Sequence, residues 1–501
     1  MRLQLFSYLT FIPYNKKNQV KIIFCFYYFC IVDYFFLLDN SKATMNKSAM
    51  SKLIHPDLLN GPIFKTLIVF TFPIFVSYLF QQLYNAADTI IVGNYLSEVS
   101  LSAIGASAPL NDLIVGFGTG FGTGMGLVAA REYGSGDYKK LKKSVAASLI
   151  LTLIITLLMM VTFYFSLKPL LRLLKTPEEI IDESYSYIIV ICLFCGVMFL
   201  YNLASGLLRA IGNSFMPLLF LVLSSLLNIW LDILFITRFN MGIKGAAIAT
   251  VIAQAVSALL CIIYIAFKAK ILIPYPKEGH FKFDKKIYKD LAGQGLSMAL
   301  MGSLVTSGTV ILQSAINVFG KTIIAAHLAS RKIFSIASIP IFTIGMASAT
   351  VVSQNYGASK MDRVRKVVRV ACIVTTVWSM ILVISSRFVL RNLLTFISGS
   401  KQEELLEYGT NYLTFAFPFF IVLGVLIVLR NSLQGLGAKI LPLLSSIIEL
   451  AGKILFTIFV IPKIGTQGII MTEPLIWVAM CLSLLFAYII RLKGISKNCN
   501  S

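Results

Sequence analysis

Two aspartates stand well inside long apolar runs, and their depth in those runs suggests a binding site. Asp88 lies six residues before Asn94, near the end of the first run, Asp232 lies six residues before Arg238, near the end of the fifth, and Thr250 lies eight residues into the sixth. At about 1.5 Å of rise per residue, these positions are about 9, 9 and 12 Å below the same surface. Asn228 is one turn deeper on the face that carries Asp232.

Two carboxylates, an amide and a hydroxyl at one depth can bind a small hard cation such as Na⁺, which prefers oxygen ligands. Alternatively, one carboxylate carries a proton, because burial and a like-charged neighbour both favour its neutral form. The competing interpretation is that each aspartate caps or hydrogen-bonds a nearby helix end. We predict a cation or proton site at Asp88, Asn228, Asp232 and Thr250. Pro73 removes a backbone hydrogen bond from the first run and predicts a bend that could respond to this site.

Other charges also interrupt apolar runs, where an ionisable group is costly unless it meets water or a partner. They are Asp112 in the N-terminal half and Arg331, Lys332, Glu449, Lys453 and Glu473 in the C-terminal half. Lys453 can pair with Glu473 or with Glu449 one turn away, which would make a self-neutralised pair. Alternatively, an uncompensated carboxylate attracts cationic substrates. The candidates for a substrate cavity are Gln82, Tyr84, Ala253 with the adjacent Gln254, Glu449, Lys453 and Glu473.

The composition is that of a membrane protein. Of 501 residues, 57% are hydrophobic and 13% are charged, with a mean hydropathy of +0.83. Soluble domains contain about 25% charged residues, so a soluble enzyme, a disulfide scaffold and a disordered chain are excluded. The net charge of +22 is typical of cytoplasmic loops in a membrane protein and does not indicate nucleic-acid binding. No nucleophile–base–acid set or Walker motif occurs, so we expect neither an enzyme nor an ATP-driven pump.

Twelve apolar runs follow Gly61, and each is long enough to cross a bilayer as a helix. They cover residues 63–91, 99–129, 141–167, 178–208, 215–237, 242–267, 287–318, 322–353, 364–389, 405–433, 440–461 and 466–490. Lys and Arg cluster in the loops that lie inside when the N-terminus is inside, for example at Lys139 and Lys140, so both termini are expected in the cytoplasm. The predicted fold is an all-α integral membrane protein of twelve transmembrane helices.

The two halves of the chain repeat one another. Tyr133-Gly134 before a basic stretch corresponds to Tyr356-Gly357 before another, and Gly242-x-x-Gly245 corresponds to Gly465-x-x-Gly468. Since each half has six segments, the repeat is parallel and predicts two six-helix bundles around a central cavity. The predicted divisions are an N-terminal segment 1–60, a bundle 61–267, a cytoplasmic linker 268–286, a bundle 287–492 and a cytoplasmic tail 493–501. Within the first segment, 1–44 is interpreted as upstream sequence before the native start.

From Gly61 to Leu492 the chain resembles the multidrug and toxic compound extrusion (MATE) family. The motifs that carry the resemblance are Gln82-Leu83-Tyr84-Asn85 leading to Asp88-Thr89, Tyr133-Gly134-Ser135-Gly136-Asp137, Leu208-Arg209-Ala210-x-Gly212-Asn213, Leu227-Asn228-Ile229-x-x-Asp232 and Gly242-x-x-Gly245-Ala246-Ala247. The resemblance implies cation-coupled efflux. It is greatest to the DinF-like branch, whose members hold the coupling ion in the N-terminal bundle, and the matching positions here are Asp88, Asn228, Asp232 and Thr250. Pro73 matches the proline at which that branch is proposed to bend.

These observations together predict an antiporter in a bacterial inner membrane. It would exchange Na⁺ or H⁺ for small organic, mostly cationic, compounds by alternating access, as a monomer in the lipid bilayer, with no cofactor beyond Na⁺ as a coupling ion. One alternative is a flippase for a lipid-linked oligosaccharide or lipid precursor, which would need several Arg and Lys in its cavity. Another is an integral-membrane transferase, which would need a His, Cys or metal constellation.

Overall fold

The computed structural model describes residues 56–499, which form α-helices joined by short turns. The interpretation of residues 1–44 as upstream sequence lies outside this range. The helices are α1 (Ile63–Tyr95), α2 (Glu98–Ser135), α3 (Tyr138–Leu173), α4 (Glu178–Leu193), α5 (Cys195–Ala210), α6 (Phe215–Thr237), α7 (Gly242–Lys268), α8 (Lys285–Ile316), α9 (Gly320–Gly357), α10 (Met361–Ser398), α11 (Glu403–Ala416), α12 (Phe420–Gly435), α13 (Ile440–Leu455), α14 (Ile461–Ile464) and α15 (Thr466–Cys499).

The predicted all-α membrane fold is confirmed. Within residues 56–499, ten helical stretches are long and apolar enough to cross a membrane, or eleven when α4 and α5 count as one bent span. One stretch, Lys285–Gly357, contains both α8 and α9, which separate at Gly320 with a φ of +86°. Because α8 and α9 are separate crossings, the twelve predicted segments all have a helical counterpart.

Three of the predicted segments are broken helices. The fourth bends by 47° between α4 and α5. The tenth passes through a short 3-10 turn, Phe417–Phe419, that contains Pro418, which has no N–H to continue the α-helical ladder. In the eleventh, a π-helical turn Phe456–Val460 follows α13. In contrast, α1 is one continuous helix through Pro73.

Short connections make successive segments antiparallel, so the molecule has two distinct ends. We call the end where α2 passes into α3 and α9 into α10 the basic end, because Lys139, Lys140, Arg363 and Lys366 lie there. The other is the far end. Large apolar side chains such as Phe165 and Phe388 are exposed along the outside of the bundles, as expected for surfaces that face lipid.

The two halves of the molecule are joined at the basic end. The principal contact is between α2 and α8, and α9 also contacts α1 and α2. Side chains near the end of α9 donate hydrogen bonds to backbone carbonyls of the N-terminal half: Ser353 to Leu127 at 2.7 Å, Gln354 to Ala210 at 2.7 Å and Asn355 to Leu58 at 3.0 Å. A contact farther toward the far end joins Tyr78 Oη of α1 and Met346 Sδ of α9 at 3.1 Å.

The helix α1 belongs to both halves. Leu67, Phe70 and Ile74, near its start, pack into the hydrophobic core of the C-terminal half. Farther along, Phe80 and Ile91 pack into the core of the N-terminal half. The change from one core to the other occurs between Ile74 and Phe80, in the two turns that follow Pro73. Pro73 removes a backbone hydrogen bond of α1 near this change.

Candidate functional site

The structure brings Asp88 and Asp232 together. Asp88 lies on α1 and Asp232 on α6, two helices that pack against each other, and the two carboxyl groups are close enough to interact electrostatically. Asp232 is fully buried. Asp88 Oδ1 and both carboxylate oxygens of Asp232 have no hydrogen-bond partner among the described residues. Two adjacent buried carboxyls without donors need a proton or a cation between them.

Asn228 extends this site by one turn of α6. Its side chain is 1% exposed, and neither the amide oxygen nor the amide nitrogen has a partner among the described residues. Buried amides are usually hydrogen-bonded, so a free amide oxygen beside two free carboxylates provides a further oxygen ligand for an ion. This set of oxygens fits Na⁺ and equally fits a shared proton with bound water.

A cavity of about 520 Å³, counting space open to solvent, lies next to the aspartate pair in the N-terminal half. Asn228 and Thr250 both line it, so the four predicted site residues divide into a buried acidic pair and a neighbouring polar wall. Of the predicted substrate-cavity residues, Tyr84, Ala253 and Gln254 line this cavity. Gln82 is exposed and is not part of the lining.

Several residues of the cavity were not identified from the sequence. Gln81, Thr119, Asn202, Ser224, Ser225 and Ser257 supply most of its other polar groups. Ser224 and Ser225 precede Asn228 by four and three residues, so helical spacing alone could have placed them on its face. Tyr187 is buried within electrostatic range of Asp88 and Asp232, but it lies in an apolar run that offered no signal.

The C-terminal candidates form a separate cluster that lines no part of this cavity. Lys453 Nζ lies 3.0 Å from Glu449 Oε1 and 3.6 Å from Glu473 Oε1, so both of the pairings considered from the sequence are present. Arg331 Nη1 lies 2.6 Å from Glu473 Oε2, and Arg430 Nη2 lies 3.6 Å from Glu449 Oε2. Each glutamate is therefore held between two cations, and the sequence analysis did not identify Arg430.

An all-α membrane fold of two similar bundles, with an acidic pair beside a polar cavity, defines a membrane transport protein. The MatE family model matches the chain twice, over residues 73–234 and 297–459. The chain therefore belongs to the MATE family of transporters, as the motifs predicted.

Similar proteins are known in bacteria. The probable multidrug resistance protein YpnP of Bacillus subtilis strain 168 is 27% identical over 78% of this chain and 87% of its own length. The multidrug export protein MepA of Staphylococcus aureus strain MSSA476 is 25% identical over 77% of this chain and 86% of its own.

Solved structures share the fold. An outward-facing MATE family transporter of the MOP superfamily has a TM-score of 0.79 at 22% identity, covering 87% of this chain and 97% of that one. A MATE protein in a bent conformation has a TM-score of 0.80 at 22% identity, covering 89% of this chain and 98% of that one. These likenesses extend through both bundles.

Proposed function

We propose that this protein is a multidrug efflux antiporter that exchanges Na⁺ or H⁺ for small organic cations. The observation that carries the proposal is the pair Asp88 and Asp232, whose buried oxygens lack donors. When Na⁺ or H⁺ is bound, the charge of the carboxylates is neutralised, and when the ion leaves, the charge returns. Each of these two states favours a different conformation of the surrounding helices. The relatives named as multidrug proteins support the efflux direction.

The basic end is then the cytoplasmic end, because Lys and Arg are retained on the inner side of bacterial membranes. The bundles are held together at that end. In this arrangement the aspartate pair, about 9 Å from the far end of α1, is near the outside. The ion enters from outside, and the protein acts as a monomer in the inner membrane.

The helix α1 is suited to couple ion binding to movement of the bundles. It carries Asp88 in its outer part and packs into the C-terminal core in its inner part. Tyr78 Oη lies 3.1 Å from Met346 Sδ of α9. Neutralising Asp88 lowers the free-energy cost of burying this end of α1 against α6. The resulting movement of α1 about Pro73 then alters the contact of α1 with the C-terminal bundle. The bundles then reopen toward the other side, which is alternating access.

The cavity favours small organic cations over the pyrophosphate of a lipid-linked precursor. None of the side chains that line it is Lys or Arg, whereas Tyr84 and Tyr201 offer aromatic faces. Aromatic rings attract organic cations through their quadrupole. A flippase for an anionic headgroup would require the opposite lining, so this alternative has no support in the N-terminal cavity.

Transport into proteoliposomes tests the proposal. Purified protein is reconstituted with a cationic dye, and a Na⁺ gradient and a proton gradient are imposed separately. We expect Asp88→Asn to lower gradient-driven transport by about tenfold or more, since coupling between two sites spans about 5- to 150-fold. The elution profile of the variant in detergent should match that of wild type.

The matched control is Asp182→Asn. Asp182 is an exposed acid whose side chain is 84% accessible and pairs with Lys168 at the surface, so its removal should leave transport unchanged. Wild-type rates in the Asp88→Asn protein under both gradients would contradict the assignment of the site.

A further inference from the structure

A second cavity lies at the basic end, away from the aspartate pair. Its volume is about 650 Å³ when space open to solvent is counted, and it shares no lining residue with the cavity of the N-terminal half. It is lined by Ile63 of α1 and, at the turn from α9 into α10, by residues 359–363 and Lys366. Three of these residues are basic and one is acidic, so the cavity can attract an anion.

Two of the three cations also hold the chain that precedes α1. Lys360 Nζ donates a hydrogen bond to Asn60 Oδ1 at 2.7 Å, and Arg363 Nε donates one to the Leu58 carbonyl oxygen at 3.4 Å. Both acceptors are uncharged, so these contacts fix the positions of the cations without neutralising their charge. The same contacts join residues 58–60 to the start of α10.

The acids close to this cavity already have partners. Asp362 lies 3.5 Å from Arg365, and its side chain is 91% exposed. Asp57 accepts hydrogen bonds at 2.9 Å from two backbone N–H groups of its own turn, and it lies within electrostatic range of Arg363. Counting Arg365 with the three lining cations gives four positive charges against two carboxylates, so two positive charges are unbalanced.

Lys366 is the cation best placed to bind a ligand in this cavity. Its side chain is exposed, and no ion pair within the described part of the chain involves it. It follows Arg363 by three residues, so the two side chains are neighbours on one side of α10. Arg363 and Lys366 can therefore contact a single phosphate group, whose oxygens accept charge-assisted hydrogen bonds.

The cavity lies at the end of two helices whose outer surfaces are apolar. The helices α1 and α10 contact each other. Phe64 and Phe72 of α1 are exposed, as are Ile373 and Val377 of α10. Ile373 follows Lys366 by seven residues, which places it about 10 Å farther along the helix, toward the centre of the membrane. A ligand that matches both the cations and these surfaces has an anionic head and hydrocarbon chains.

We propose that this cavity binds the phosphate group of an anionic phospholipid of the inner leaflet, with Lys366 as the principal contact and the acyl chains against α1 and α10. Basic pockets between membrane helices on the cytoplasmic side bind anionic headgroups. A free phosphate would use the cations but not the apolar surfaces. The site goes beyond the proposed transport function, from which it takes only the orientation of the basic end, and it does not depend on the ion or substrate carried.

Thermal unfolding of the purified full-length protein in detergent tests this site, because a ligand that binds the native state raises the thermal midpoint as its concentration rises. Dioleoyl phosphatidylglycerol and dioleoyl phosphatidylcholine have the same acyl chains and differ in net charge. For wild type, the half-saturating concentration of phosphatidylglycerol should be about tenfold or more below that of phosphatidylcholine.

Lys366→Gln should raise the half-saturating concentration of phosphatidylglycerol by about fivefold, which is the contribution of one basic residue near an anionic membrane surface. The value for phosphatidylcholine should not change. Lys366→Arg keeps the charge and should stay within about twofold of wild type.

Lys139→Gln is the matched control, because Lys139 is an exposed lysine of the same end that does not line the cavity. Its response to phosphatidylglycerol should equal that of wild type. Equal half-saturating concentrations of the two lipids in wild type would overturn the inference, as would a phosphatidylglycerol value that Lys366→Gln leaves unchanged or that Lys139→Gln raises equally. Inorganic phosphate that raises the midpoint as much as phosphatidylglycerol does would assign the cavity to a soluble phosphate compound and also overturn the inference. The proposed transport function is tested separately, in proteoliposomes.

Discussion

Each buried glutamate of the C-terminal half is stabilised by two cations, and this makes the cluster sensitive to loss of one member. Glu473 contacts Arg331 and Lys453 and accepts a hydrogen bond from the Tyr412 hydroxyl at 3.4 Å. Lys453 is 2% exposed. Without its carboxylates, a buried ammonium has neither water nor a counter-charge, so the cost of desolvation is no longer offset.

We expect Glu473→Gln to reduce stability by about 3–5 kcal/mol, the usual cost of breaking a buried ion pair. Replacing Lys453 by Met in the same protein should recover part of this loss, because it removes one of the two positive charges that are then in excess in the cluster. Thermal unfolding in detergent, followed by size-exclusion chromatography, measures the effect.

The control for this substitution is Glu403→Gln at the exposed pair Arg391 and Glu403, whose atoms lie 2.5 Å apart. Exposed pairs contribute about 1 kcal/mol or less, so its thermal midpoint should stay close to wild type. A similar fall of the thermal midpoint in Glu403→Gln and Glu473→Gln would show that burial of the cluster does not determine how strongly its ion pairs stabilise the protein.

Among the helices, α2 and α8 make the most extensive contact between the two halves. Glycines allow it: a Cβ on Gly124 would lie 2.6 Å from the Gln294 carbonyl oxygen, and one on Gly120 would lie 2.6 Å from that of Met298. These atoms are backbone, which cannot move aside as a side chain can. Small residues on facing helices allow such backbone contact in membranes.

Gly124→Ala should therefore force the two helices apart and lower stability by about 1–3 kcal/mol, as overpacking does. Gly105→Ala on the same helix is the matched control, since nothing lies within 4 Å of its Cβ position. There the better helix propensity of Ala should leave the thermal midpoint unchanged or slightly raised. Equal shifts for the two variants would exclude the α2–α8 contact as the cause.

At the scale of the whole molecule, the contacts at the basic end join the two halves there. Asp290 at the start of α8 pairs with Arg131 of α2 and, at 2.7 Å, with Lys439 before α13. Together with the hydrogen bonds from Ser353, Gln354 and Asn355 it links the two halves. In the alternating access proposed above, these contacts exist only while this end is closed, so they would stabilise one of the two states.

Asp290→Asn should shift the population toward opening of the basic end by about fivefold or more. Pulsed electron paramagnetic resonance between spin labels at Lys139 and Lys366 measures the separation of the halves at this end. In the variant, the fraction of molecules with the longer distance between labels should grow. Asp362→Asn is the control, because Asp362 pairs only with Arg365 of its own helix, at 3.5 Å. A distance distribution unaltered by Asp290→Asn would show that this ion pair does not hold the end closed.

Much of the fold could be predicted from local patterns in the amino-acid sequence. Runs of apolar residues set the number, length and order of the crossing helices, because lipid requires each segment to satisfy its own backbone. Depth along a helix also follows from position in the run, which is why residue spacing alone predicts that Asp88, Asp232 and Thr250 share one layer, with Asn228 one turn deeper.

Rotation of each helix and contacts between distant segments were decided by tertiary packing alone. Depth could not show that Asp88 and Asp232 meet, that Gln82 lies outside the cavity, or that Arg430 and Arg331 complete the chain through Glu449 and Glu473. The rise along a helix is a local property of the backbone. The direction in which a side chain points across the membrane depends on which neighbours its helix packs against, and those neighbours lie far away in the chain.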